Sequence, residues 1–208
     1  MSSILVVVAH PDDEIFMGAS IARFADEGHA VSVLSFTDGV SARLGARLSD
    51  VDARLHNHRA SADVLGFRVV PLSLRIDQML DATGLIDLTR RIEHVIGQTH
   101  PSIVYTHSLG DLNSDHRRVR EAVLPAVRPK SGVREVYAFD GPRMLRSFMP
   151  TSFVEIKHDH RLRQLSALEC YGDELAGERL HICGRQDEWG YVAGVPFAEG
   201  FETIRRLA

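Results

Sequence analysis

The apolar run Ile4-Leu5-Val6-Val7-Val8-Ala9 stops abruptly at His10-Pro11-Asp12-Asp13-Glu14. A continuous apolar run without alternation reads as a strand buried on both faces, as in a parallel sheet. Its end places an imidazole and three carboxylates at the carboxyl end of that strand. In open α/β sheets, ligands bind in the crevice outside the carboxyl ends of the strands. Adjacent carboxylates are costly there unless positive charge compensates them. A divalent metal does this: His10 and Asp13 form a short-spaced ligand pair, and Asp12 is left over as a base. The plainer alternative is that Asp12, Asp13 and Glu14 only favour the positive end of a following helix, with Pro11 marking its start.

A second cluster repeats the order. Pro101 opens a short strand, Ser102-Ile103-Val104-Tyr105-Thr106, which runs into His107-Ser108-Leu109-Gly110-Asp111-Leu112-Asn113-Ser114-Asp115-His116-Arg117. A helix is expected from Arg118 to about Val127. Two strand ends therefore carry ligand-type residues. Zinc hydrolases commonly take two close ligands from one motif and a third from a distant one, and keep the fourth position for water. His10, Asp13 and His116 fit that scheme. Asp115, beside His116, is a candidate to orient it.

The rest of the chain supplies the frame. Helix-like periodicity covers Glu14 to Glu27, rich in small residues and closed by Gly28. A second strand is expected over about Ala30 to Phe36, a helix over Asp50 to Leu65 ending at Gly66, and a third strand over about Arg68 to Leu72. A helix follows over about Gly84 to Gln98, with Leu85, Leu88, Ile92, Val95 and Ile96 at helical spacing. Further strands are expected over Glu135 to Phe139 and Phe153 to Ile156, then an amphipathic stretch from Arg161 to Glu174. The remainder reads as loop and short elements. Between the second strand and the second helix, residues 37–49 form a long Gly-, Ser- and Arg-rich loop over the site. Arg43 and Arg47 in it would meet a phosphate or carboxylate, or would simply be solvated.

Alternating strands and helices predict an α/β fold: a Rossmann-like, mostly parallel sheet with helices on both faces and right-handed crossovers. The absence of linkers and repeats predicts one domain over residues 1–208. No G-x-G-x-x-G follows the first strand, so the sheet should not be read as a dinucleotide binder.

Composition narrows the partners. A net charge of −4 argues against nucleic acid. No apolar run reaches the length of a membrane span. No basic segment followed by a long apolar stretch marks a secretory signal, and the two cysteines, Cys170 and Cys183, read as reduced packing residues. A cytoplasmic protein is expected. Of the 11 histidines, most are read as doing nothing catalytic. His56 and His58 are expected to be solvated or on the substrate side, and His181 with Cys183 would form only a weak second site.

These motifs resemble the LmbE-like (PIG-L) zinc-dependent deacetylases, which remove acetyl groups from N-acetylglucosamine-type sugars. Ala9-His10-Pro11-Asp12-Asp13-Glu14 matches the family signature throughout. Asp111-x-Asn113-x-Asp115-His116-Arg117 matches the form seen in part of the family. Thr37-Asp38-Gly39, Leu65-Gly66 and Phe197-Ala198-Glu199-Gly200-Phe201 extend the similarity over nearly the whole chain. The resemblance implies that His10, Asp13 and His116 bind Zn²⁺ (a His₂Asp site with water also accepts Fe²⁺) and that Asp12 is the general base. It implies Asp38, Arg43, Arg54, Asp77 and Asp111 on the substrate side, and Asp115 within the catalytic cluster. The implied partner is a small-molecule N-acetyl sugar, and a homo-oligomer is compatible with it.

Two positions depart from the family pattern. Some relatives carry a histidine where Asn113 stands, for the oxyanion or as a proton donor. Either Asn113 gives a neutral hydrogen bond, or His107 supplies the cation from the loop entrance. Asn57, three residues after Arg54, replaces a glutamate that relatives often have. The expected reaction is hydrolysis of an acetamido group to acetate and a free amine. The alternatives are an amidase acting on another N-acyl substrate, or a zinc-binding protein that has lost catalysis.

Overall fold

The run at Ile4 forms β1 (Ser3–Val8), and its side chains alternate between two cores. Ile4, Val6 and Val8 enter one, while Leu5, Val7 and Ala9 enter the other. Both faces of the strand are therefore apolar, as a central parallel strand requires. The computed structural model describes residues 1–71, 77–141, 148–172, 175 and 177–207.

The other strands are β2 (Ala30–Ser35), β3 (Arg68–Val70), β4 (Ile103–His107), β5 (Glu135–Phe139), β6 (Ser152–Glu155) and β7 (Ala198–Arg206). They form one seven-stranded sheet in the order β3-β2-β1-β4-β5-β7-β6. The first five strands pair in parallel, with Ile4 opposite both Val31 and Ile103. Among the described strands only β7 is reversed: it pairs antiparallel with both β5 and β6, so β6 points the same way as the first five. From β1 the chain moves outward through β2 and β3, then returns to place β4 on the other side of β1. That reversal opens a crevice between the carboxyl ends of β1 and β4.

Helices cover both faces. α3 (Leu85–Thr99) and α4 (Ser114–Ala126) close one core through Leu88, Ile92, Val95, Val119 and Val123. α1 (Gly18–Asp26), α2 (Leu48–Leu65), α5 (His158–Glu169) and α6 (Glu178–Ala193) face the other through Ile21, Leu65, Leu168 and Ile182. The small residues of α1 bring it close to a helix as well as to the sheet. A Cβ on Gly18 would come within 2.8 Å of Gln164 Cγ on α5.

Several boundaries depart from expectation. The first helix opens with a 3₁₀ turn at Asp13–Met17 before α1. α4 starts at Ser114, four residues earlier than expected, so Asp115 and His116 lie in its first turn. The C-terminal third, expected as loop, holds α6 and β7. Gly184 and Gly190 lie within α6, and its apolar residues form no clean stripe. β7 reads AEGFETIRR, too polar to stand out, yet Ala198 and Phe201 are fully buried. Leu72, at the end of the third expected strand, and Glu174, at the end of the amphipathic stretch, lie outside the described residues. No described helix is long and apolar enough to cross a membrane.

Candidate active site

The crevice between β1 and β4 has a volume of about 240 Å³ and is lined by His10, Asp12, Asp13, Phe16, Gly39, Arg43, Gln78, Asp111, Asn113, His116, Leu175 and Glu178. A larger hollow of about 760 Å³ lies at the opposite end of the sheet, among Ile96, Ala126, Pro129 and Lys130. The ligand-type residues gather in the smaller crevice.

Three of them converge. His10 Nδ1 lies 3.1 Å from His116 Nε2, His116 Nε2 is 3.2 Å from Asp13 Oδ1, and His10 Nδ1 is 3.3 Å from Asp13 Oδ2. Ligand atoms about 2.1 Å from a tetrahedral ion stand about 3.4 Å from one another. The side chains thus already span three corners of such a site. His10 is delivered by the end of β1, Asp13 by the turn behind it, whose Oδ2 accepts the His10 N–H at 2.7 Å, and His116 by the first turn of α4. Gly39 permits the close approach. It sits at φ 71°, and a Cβ there would come within 3.4 Å of the His10 side chain.

The outward-facing ring nitrogens are also held. His116 Nδ1 is 2.8 Å from Asp111 Oδ2. His10 Nε2 faces Asp77 Oδ1 at 3.3 Å, Gln78 Nε2 at 3.2 Å and Asp115 Oδ2 at 3.6 Å. A carboxylate behind each imidazole is the arrangement that orients metal-bound histidines. The residues present therefore fit a divalent ion on His10, Asp13 and His116.

The electrostatics agree. Burial works against charge on His116, but Asp13 and Asp111 outweigh it and raise the ring to about 9. Burial opposes charge on His10 too, and Asp13, Asp115 and Asp77 still hold it well above its ordinary value. Burial would raise Asp13, yet His116, His10 and His107 hold it well below the usual carboxylate range. The carboxylates thus favour positive charge among the two imidazoles, a role a metal ion would take over by displacing protons.

Asp12 stands beside this cluster. Burial and the Asp13 carboxylate push it up to about 7, against the pull of Arg54. Arg54, buried in α2, donates from Nη1 to Asp12 Oδ2 at 2.5 Å and to the Pro11 carbonyl at 3.0 Å. A carboxyl poised near neutrality can both take and return a proton at the operating pH.

Several expected roles change. The sequence pointed to Asp115 as the partner of His116, but Asp111 takes that place. Neighbouring residues on a helix project about 100° apart, so Asp115 and His116 cannot face each other. Asp115 instead accepts the Leu80 N–H at 3.0 Å and approaches His10. Asp111, expected to meet substrate, lines the crevice mainly as the support of His116. Asp77, expected likewise, lies buried behind His10, which outweighs the effect of burial and lowers its pKa. Asp38 turns inward: its Oδ1 accepts the N–H groups of Val40 at 3.0 Å and Ser41 at 2.8 Å, shaping the loop rather than facing the crevice.

His107 also differs from expectation. Its ring stacks on His116 at a centroid distance of 4.0 Å, and its Nε2 accepts the Ala9 N–H at 3.0 Å. It is buried and does not line the crevice. Burial, with the charge of His116, lowers it to about 4. The same Nε2 lies 3.4 Å from Asp13 Oδ2, so the ring is directed at the end of β1 and at the Asp13 carboxylate rather than into the crevice. Asn113 does line the crevice. Its Oδ1 caps α4 by accepting the Asp115 N–H at 2.9 Å. His58, expected to be solvated or substrate-side, is buried near Glu14, and burial lowers it to about 4.

Arg43 lines both the crevice and a second cavity of about 380 Å³, shared with Leu44, Asp50, Arg54, Asn57 and Tyr171. Phe16, Gln78, Leu175 and Glu178 are crevice residues that the sequence did not mark. Gln78 follows Asp77 directly, whereas Glu178 opens the helix that periodicity missed.

The comparisons with known proteins bear on this geometry. The chain is 29% identical over 172 residues to a protein of Escherichia coli strain K12 named uncharacterized deacetylase YaiS, covering 80% of this chain and 88% of that one. Among solved structures, GalB, the 4-carboxy-2-hydroxymuconate hydratase from Pseudomonas putida KT2440, superposes with a TM-score of 0.77 at 24% identity, covering 100% of this chain and 98% of that one. The N,N′-diacetylchitobiose deacetylase from Pyrococcus horikoshii superposes with a TM-score of 0.75 at 19% identity, covering 98% of this chain and 84% of that one. At such identities the superpositions show a shared fold, and the fold houses both hydratase and deacetylase. The family model for GlcNAc-PI de-N-acetylase, PIG-L, matches residues 5–127, which contain both strand-end clusters, and the chain belongs to that family.

Proposed function

We propose that the protein is a metal-dependent hydrolase that removes the acetyl group from an N-acetylated amino sugar or sugar conjugate, releasing acetate and a free amine. The observation that carries this reading is the convergence of His10, Asp13 and His116 with Asp12 beside them in one crevice. A metal-storage or binding site would have no use for a carboxyl of raised pKa next to its ligands.

His10, Asp13 and His116 would hold the ion, with Zn²⁺ as first choice and Fe²⁺ compatible with the same donors. When bound, the ion supplies Lewis acidity, making water more acidic and an amide carbonyl more electrophilic. Asp12 takes the proton of the attacking water and returns it to the leaving amine. Arg54 keeps that carboxylate in place. Asn113, whose Oδ1 is engaged by the helix cap, has its amide N–H groups left to donate to developing negative charge on the acyl oxygen. Asp111 and Asp77 keep the two imidazoles oriented. Arg43, Arg54 and Asn57 line the cavity that would take the part of the substrate beyond the acetamido group.

The test is direct. Zinc-loaded protein is given a panel of N-acetyl amino sugars and their conjugates, with acetate and free amine both quantified. Stoichiometric release, abolished by a chelator, is expected. Asp12→Asn should keep the metal and lose about 10²- to 10⁴-fold in rate. Absence of acetate from every member of the panel, with hydration of an unsaturated acid in its place, would move the protein to the chemistry named for its hydratase neighbour.

A further inference from the structure

Behind Asp12 lies a carboxylate that the hydrolytic chemistry does not use. Glu14 is completely buried. Its Oε1 accepts the Tyr171 hydroxyl at 2.6 Å and the Ser61 hydroxyl at 3.0 Å. Its Oε2 accepts the backbone N–H of Asp12 at 3.0 Å. These partners come from three separate places: the turn after β1, the body of α2, and the segment after α5. A glutamate serving only the charge balance of the 3₁₀ turn could stay in solvent. Burying a carboxylate is costly unless its acceptor sites are used, and here hydrogen bonds reach both oxygens.

The backbone it grips is strained. Asp12 sits at φ 147°, ψ −20°, in the region that favours glycine. Such a conformation persists only where the surroundings over-determine it, and such residues cluster at active sites. At Asp12 the restraints are identifiable. Glu14 takes its N–H, the Ile15 N–H donates to its carbonyl at 3.1 Å, and Arg54 holds the Pro11 carbonyl on one side and the Asp12 carboxylate on the other. The Arg54 guanidinium lies 5.5 Å from the centre of the Tyr171 ring, so Tyr171 braces both holders.

We propose that Glu14 is a positioning residue for the hydrolytic reaction: through the Asp12 N–H it locks the strained turn that presents the Asp12 carboxylate to the crevice. The proposal rests on Asp12 being the base. Glu14 touches neither substrate nor metal, so its removal should act on turnover and leave metal binding and substrate affinity nearly intact.

The experiment uses zinc-loaded protein and compares Glu14→Ala, Glu14→Asp and Glu14→Gln, with zinc per chain, kcat and KM measured for each. Misplacing a reacting group by about 1 Å costs on the order of 10²-fold. Glu14→Ala and Glu14→Asp should each lower kcat by about 10- to 100-fold, with KM and zinc content within about threefold of the parent. Glu14→Gln keeps an oxygen to accept the Asp12 N–H and should recover most of the rate. Should the Ala variant fail to fold, Glu14→Asp carries the test, since it keeps the carboxyl group and withdraws it by one methylene.

A double variant separates the two hypotheses. If Glu14 works only through Asp12, adding Glu14→Ala or Glu14→Asp to Asp12→Asn should cost less than about twofold more, because residues acting as a unit are non-additive. Full additivity in that background, unchanged kcat in the single variants, or loss of zinc in Glu14→Asp overturns the positioning role. Near-normal turnover by Asp12→Asn itself overturns the base assignment instead.

Discussion

The two strand ends that build the site are held in opposite ways. After β4 the segment carrying His116 is braced largely from within itself. Asp111 Oδ1 accepts the Asn113 N–H, Asn113 Oδ1 accepts the Asp115 N–H, and Asp111 Oδ2 meets His116, all within six residues. After β1 the loop is held from afar. Arg54, Ser61 and Tyr171 reach it from α2 and beyond α5, and its central residue is strained. The difference separates two tasks. Under the proposed reaction, a ligand on the first turn of a capped helix can be set largely by local geometry, whereas a base among carboxylates needs its surroundings supplied by distant elements.

Removing His116 tests the β4 side most severely. His116→Ala should take most of the metal away without unfolding the chain, since the ring sits at the edge of the core, and activity should vanish with it. Metal analysis and a thermal melt, read together, check this. Stoichiometric metal in that variant would break the assignment of ligands to both strand ends.

Proton competition sharpens the comparison next. In the metal-free site the surrounding carboxylates raise His116 to about 9 and hold His10 well above its ordinary value. Metal must displace protons from these rings, so affinity should rise with pH through neutrality. The slope is about tenfold in Kd per pH unit for each proton released. Titration of zinc into metal-free protein at several pH values measures it. A flat profile between pH 6 and 8, about one unit either side of neutrality, would contradict the charge balance described here.

Smaller effects belong to the residues that support. Asp111→Asn leaves a neutral partner on His116 Nδ1, and losses of this type cost about 10- to 100-fold in metal affinity. Asp115→Asn should weaken metal less, because Asp115 shares His10 with Asp77 and Gln78. If Asp115→Asn proved the more damaging, the roles assigned from the helix phase would be reversed.

The chain sequence alone determined a good deal. Apolar runs ending in His and Asp located the carboxyl ends of β1 and β4, because a strand buried on both faces is predominantly apolar and a cluster of ionisable residues marks where the chain leaves the core. Adjacency then sufficed to pair His10 with Asp13, and motif spacing to add His116 from the second cluster. Alternation of runs and helices gave the parallel sheet through β5. The tertiary structure decided the rest. α6 and β7 carry little periodic signal, because their burial comes from neighbours distant in sequence. Whether Asp111 or Asp115 stands behind His116 depends on where α4 begins, and a four-residue shift of that start changes which side chains face each other. His107 is absent from the lining of the crevice because its ring is engaged by the Ala9 N–H at the end of the adjacent strand, a contact across 98 positions of sequence. The hold on Asp12 is of the same kind. Arg54, Ser61 and Tyr171 meet there only because α2 and α5, with the segment that follows α5, pack on one face of the sheet, and no local pattern in the chain records that meeting.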